Sequence, residues 1–202
     1  PRVSGRLSSG YYKAVNKMHE FSFLIYNLVI FPIISGLLVV NKDFVSFFLG
    51  KDFQAANIAI AIMVFRMFFI GWTNIMGIQI LIPHNKHREF MLSTTIPAVV
   101  SVGLNLLLIP PFGFVGASIV SVLTEALVWF IQLYFSLPYL KEVPILESMA
   151  KIVCASAMMY GLLLSAKPFL HFPPTLNVLV YAVLGGLIYL LAILVLKVVD
   201  VK

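Results

Sequence analysis

Two charges stand inside otherwise apolar stretches: Arg66, within AIAIMVFRMFFI, and Glu125, within SIVSVLTEALVWF. An ionised side chain at the centre of a bilayer costs about 2.5–3.5 kcal/mol on insertion scales, so each must face a partner, the protein interior or water. Two chemistries fit them. They could neutralise one another as a structural ion pair, or they could line a polar path for a solute. Ser118, Ser121, Glu125 and Gln132 recur at steps of three, four and seven residues, which places a polar seam along one face of a helix. For the serines, hydrogen bonding between helices is the commoner use of such a seam. Arg66 shares a face with Thr73, while Asn74 and Gln79 follow toward the end of the same run, and Asn27 and Asn105 add amides elsewhere. Amides and charges at several depths suit a hydrated cavity that hydrogen-bonds sugar hydroxyls. The candidate cavity or intramembrane polar residues are therefore Arg66, Glu125, Asn74, Gln79, Asn105 and Gln132.

Catalytic patterns are missing from the chain. His19, His84, His87 and His171 fall in or beside polar links, and the one cluster with an acidic neighbour, His84, His87 and Glu89, reads as a solvated loop rather than a metal site. Cys154, the single cysteine, excludes an intrachain disulfide, and its apolar surroundings predict a buried, inert thiol. Neither a phosphate-cradling glycine loop nor a nucleophile elbow occurs. The chain is not expected to be an enzyme, to hold a metal or cofactor, or to bind nucleic acid, since its basic residues sit in short links.

The elements that must carry these residues are set by composition. Hydrophobic residues make up 61% of the 202, charged residues only 11%, and the mean hydropathy is +1.02. A soluble domain keeps roughly a quarter of its residues charged, so lipid is the solvent here. Six runs are long enough to span: about 21–40 with Pro32 inside, 58–82 closed by Pro83, 90–109 with Pro97 inside, 115–135, 149–164 and 176–196. Pro110-Pro111 and Gly113 predict a tight turn between the third and fourth. In the first run, Pro32 predicts a kink whose freed carbonyl a neighbouring helix can satisfy. Ala157 with Gly161, and Ala182 with Gly186, have the spacing at which helices approach closely.

The expected fold is an all-α, polytopic integral membrane bundle of six transmembrane helices. Residues 1–20 form a polar leading segment, 21–136 carry four spans and 137–202 carry two more. The leading segment lacks an initiator methionine, so the chain is expected to begin inside a longer protein. One side of the bundle collects Arg2, Arg6, Lys13, Lys17, Lys86, Arg88, Lys141, Lys151, Lys197 and Lys202, against Lys42, Lys51 and Lys167 on the other. The positive-inside rule then puts both ends in the cytoplasm and the Pro110–Gly113 turn outside. Measured along their helices, Arg66 lies about 12 Å and Glu125 about 15 Å from the outer face, close enough in depth to meet. Tyr11, Tyr12, Tyr134 and Tyr139 read as an interfacial belt, and Trp72 as a secondary candidate for stacking on a sugar.

PRVS at the start, FPIISGLLVV at Phe31–Val40, FLGKDFQAA at Phe48–Ala56 and NLLLIPPFGFVGASIVSVLTE at Asn105–Glu125 together resemble the second half of bacterial polysaccharide flippases. These belong to the superfamily that also holds multidrug and toxic-compound extruders and lipid II flippases. The resemblance implies a fourteen-helix transporter of two pseudo-symmetric bundles, in the bacterial plasma (inner) membrane, that moves undecaprenyl-pyrophosphate-linked oligosaccharides outward by alternating access. It implies membrane lipid and the lipid-linked oligosaccharide as partners, together with a polysaccharide polymerase and other assembly proteins. An alternative in the same superfamily is a cation-coupled extruder, with Glu125 as the carboxylate that takes H+ or Na+ as coupling ion. A second alternative is a non-catalytic membrane portion of a polysaccharide-synthesis enzyme; a membrane glycosyltransferase or polymerase proper would need a large extracellular loop, and the links are all short.

Overall fold

The computed structural model describes residues 12–141, 143–170 and 172–198. PRVS, most of the leading segment, Glu142, His171 and Lys202 lie outside them. Every regular element among the described residues is helical.

Helix α1 runs from Tyr12 to Phe48, 37 residues. That is about 55 Å of helix, well beyond the ~30 Å of a hydrocarbon core. It continues through Lys42 and Asp43, which the sequence places in a polar link. Charged side chains do not interrupt the backbone ladder, and the chain leaves the helix only at Gly50, whose φ of 95° lies where side-chain-bearing residues rarely go. Pro32 lacks the N–H that would bond the Leu28 carbonyl. The Tyr189 hydroxyl donates to that carbonyl at 2.8 Å, so a neighbouring helix does satisfy it. Tyr189→Phe should lower thermal stability in detergent by about 1 kcal/mol, the price of one buried unmet acceptor. An unchanged melting temperature would show that water reaches Leu28.

Helix α2 spans Ala56–Asn74 and opens directly into a π-helical segment, Ile75–Leu81. Five-residue bonds mark the wider turn, with Ile82 N donating to Gly77 O at 3.1 Å and Lys86 N to Leu81 O at 2.9 Å. Gly77 admits the ring of Phe90, which would lie 2.5 Å from a Cβ there. Helix α3 then covers His87–Leu140, 54 residues with Gly113 at φ 56°, ψ −133°. A straight helix would separate Ser93 from Gln132 by about 58 Å, yet the Gln132 amide donates to Ser93 Oγ at 3.2 Å across 39 residues. The chain therefore folds back on itself at Gly113, and α3 is two antiparallel arms. Pro110 and Pro111 remain helical. Their fixed φ fits a helix, whereas the reversal needs a backbone conformation open only to glycine.

Helices α4 (Ile145–Ala166) and α5 (Pro174–Val195) follow. Their contact is carried by Gly185, where a Cβ would lie 3.1 Å from Leu163 and 3.5 Å from Met159. Gly161 and Gly186 have nothing within 4 Å, so the expected small-residue pairs do not make the close approach. The seam sits one residue away from the predicted one, because spacing alone does not tell which face turns inward.

Two units divide the chain. One contains α1 as far as Tyr26, then Phe65–Ile145; the other contains Asn27–Val64 and the chain from Leu146. Five helices are long and apolar enough to cross a membrane. Large apolar side chains cover the surface, with Leu106 73% exposed, while Asn27, Ser93, Gln132 and Ser136 are buried. That inversion is the signature of a chain solvated by lipid, and the protein is a multi-pass helical membrane protein.

Candidate functional site

Arg66 on α2 and Glu125 on the second arm of α3 meet. Arg66 Nη2 donates to Glu125 Oε1 at 2.8 Å and Nε to the same oxygen at 3.3 Å. Their side chains are 37% and 20% exposed, so the pair is largely shielded, with Arg66 the more open of the two. An apolar helix face beside each supplies the low dielectric that strengthens the attraction, and the pairing removes the cost that either charge would carry alone in the membrane.

An aromatic cluster lies one turn beyond the pair. Trp129 follows Glu125 by four residues, and its ring centroid is 6.1 Å from Trp72, 6.2 Å from Phe68 and 5.9 Å from Phe69. Phe23 closes the far side of Trp72 at 4.7 Å. Trp72 is only 6% exposed, so its ring is spent on packing and is not offered to a sugar.

A second polar group surrounds the π-segment. The Ser22 hydroxyl, 2.9 Å from both the Met18 carbonyl and Gln79 Oε1, bridges α1 to the π-segment. Gln132 is buried against Gly77 and bonded to Ser93, leaving its Oε1 without a protein partner, as is the buried Ser136 hydroxyl. Asn74 is exposed and donates to the Ile70 carbonyl at 2.8 Å. Asn105 donates to the Ser101 carbonyl at 2.9 Å, within its own arm, and borders a shallow hollow of ≈ 360 Å³ beside Pro110. Of the six candidates, the structure joins Arg66 to Glu125, sets Gln79 and Gln132 among the groups around the π-segment, and leaves Asn74 and Asn105 bonded to local carbonyls.

Other side chains depart from their expected roles. The Ser118 and Ser121 hydroxyls donate to Phe114 and Ala117 of their own helix, each at 2.9 Å, because the carbonyl four residues back is always within reach. His19 is buried inside α1, with neither ring nitrogen hydrogen-bonded, rather than lying in a link. Cys154 is exposed, not buried: an apolar run does not say which face a residue takes, and on a membrane helix the outward face is apolar too. In the link after the π-segment, His84 Nδ1 lies 2.7 Å from the Ile80 carbonyl and its ring is 3.8 Å from that of Tyr139. Glu89 is engaged by Lys86 at 2.8 Å, and that hydrogen bond raises the Lys86 pKa above the usual lysine value. Among the described residues, no group of three or more His, Cys, Asp or Glu side chains could hold a metal ion.

Sequence reasoning missed Ser22, Tyr26, Ser93 and Gly71. Ser22 and Tyr26 stand four apart on α1, which was the available signal. Tyr26 donates its hydroxyl to the Met67 carbonyl, and a Cβ on Gly71 would lie 1.8 Å from its ring. The chain matches no protein-family model, no curated protein and no solved structure.

Proposed function

We propose that this chain is the C-terminal portion of a transporter that flips undecaprenyl-pyrophosphate-linked oligosaccharide from the cytoplasmic to the outer leaflet of a bacterial plasma membrane, by alternating access. Counting the two arms of α3 separately gives six crossings, with both ends cytoplasmic by the distribution of lysine and arginine. Rocking of helical bundles around a polar path is how many membrane carriers move solutes whose headgroups cannot cross hydrocarbon.

The observation that carries the proposal is the partly open Arg66–Glu125 pair. Complete enclosure would strip both ions of water and leave each held only by the other. A pair that remains accessible within membrane-spanning helices can exchange partners with a polar solute. The resemblance of the Asn105–Glu125 hairpin to the flippases supplies the substrate class.

In cells that depend on the full-length protein, Glu125→Gln or Arg66→Ala should lower surface polysaccharide severalfold at unchanged membrane abundance, with lipid-linked repeat units accumulating inside. Normal polymer in both variants would overturn the role of the pair. Loss of drug resistance in place of polymer would favour the cation-coupled extruder.

A further inference from the structure

Within the unit that holds the ion pair, α1 and the junction of α2 with the π-segment flank an open cleft of ≈ 520 Å³. Small-molecule sites occupy about 300–1,000 Å³. Ser22, Tyr26, Asn74 and Gln79 line it, together with the exposed apolar side chains of Phe21 and Ile25 on its α1 wall. Four hydrogen-bonding side chains on one cleft are unexpected on the surface of helices this apolar. An amide turned toward hydrocarbon with nothing to bond loses about 4–8 kcal/mol relative to water on the cyclohexane scale. Asn74 is exposed, and its bond to Ile70 leaves its carbonyl oxygen and second N–H uncommitted. Water would meet those free groups where lipid would not.

The cleft is also built to keep its shape. The end of the Tyr26 ring sits directly over Gly71, which has no Cβ to displace it, and the Tyr26 hydroxyl is tied to the Met67 carbonyl. The Ser22 bond to Gln79 closes one end, where the backbone widens into the π-helix. Such π turns cluster at functional sites because they displace side chains from the regular helical stripe. None of the lining groups carries a formal charge, so a phosphate or a cation finds no counter-charge there. An aromatic wall beside amides and a hydroxyl instead matches a neutral ring with one apolar face and hydroxyls at its edge.

We propose that this cleft is open to water and holds one uncharged, hydroxyl-bearing ring of the transported glycolipid, at a subsite separate from the Arg66–Glu125 pair. The identity of the ring as a sugar rests on the transport reading; the hydration of the cleft does not.

The test uses the full-length protein in permeabilised membranes, with Cys154→Ser as background because the native thiol is exposed. Ser22→Cys and Asn74→Cys should react severalfold faster with a membrane-impermeant maleimide than Val99→Cys, which is 68% exposed. Millimolar N-acetylglucosamine should slow modification of Asn74→Cys, and sodium sulfate should not. Reaction no faster than at Val99→Cys overturns the hydrated cleft, and fast reaction without sugar protection overturns the sugar subsite. Normal surface polysaccharide in both ion-pair variants, with a sugar-protected cleft, overturns the transport role of the pair alone. Impaired polysaccharide with an unreactive cleft overturns this inference alone.

Discussion

Gly116→Ala is expected to destabilise the α3 hairpin by about 3 kcal/mol, the upper end of the usual cost of overpacking. A Cβ at this position would lie 2.2 Å from the Leu108 carbonyl oxygen, 2.7 Å from its carbon and 3.2 Å from the Ile109 nitrogen. All three are main-chain atoms, so no side-chain rotation relieves the clash and the two arms must part. The Gln132–Ser93 bond farther down the arms would then be strained or lost. Gly103→Ala is the matched control, since nothing lies within 4 Å of a Cβ there. It should be neutral or stabilising by up to about 1 kcal/mol, through helix propensity alone. Thermal unfolding of the two variants in detergent measures the difference. Equal melting temperatures would mean that the arms do not touch at Gly116.

The second large effect is expected from a double-mutant cycle on Arg66 and Glu125. Each single alanine variant leaves an unpaired charge among membrane helices, and each should lose more stability than the double variant. Full burial of such a broken pair costs about 3–5 kcal/mol. Because the two side chains are 37% and 20% exposed, solvent screening reduces this, and a coupling energy of about 1–2 kcal/mol is expected. Exchanging the charges, with Arg66→Glu and Glu125→Arg together, should recover much of it. A coupling energy near zero would show that the contact is not maintained in the membrane. The same double alanine variant separates the two roles of the pair. If it is stable and still supports polysaccharide export the pair is a strut, and if it is stable but inactive the pair acts on the solute.

Much of the fold was legible because membrane chains obey local rules. Long apolar runs must be helices, since only a helix satisfies its own backbone in lipid, and Pro32 implied a donor from elsewhere before Tyr189 could be named. The turn between the third and fourth runs was legible to within a few residues, with the reversal placed at Gly113 rather than at the prolines. Element ends were less so: α1 runs through Lys42 and Asp43 because polarity marks solvent, not helix termination. The π-segment left no mark in the apolar period, because its five-residue bonds depend on what Gly77 must admit from α3.

For the site, the sequence by itself determined that Arg66 and Glu125 had to face a partner, the protein interior or water, and that their depths matched. This follows from the cost of charge in hydrocarbon, a property of each residue and its neighbours in the chain. Only the tertiary structure decided that they satisfy each other through one carboxylate oxygen at 2.8 Å, and that the pair stays partly open. It also decided that Gly185 rather than Gly186 meets α4, that Trp72 is enclosed, and that Ser22 and Tyr26 join Asn74 and Gln79 on one cleft. Those outcomes depend on the rotation of one helix against another. Apolar residues surround a membrane helix on every side, so its hydrophobic pattern does not set that rotation, which packing between distant segments alone selects.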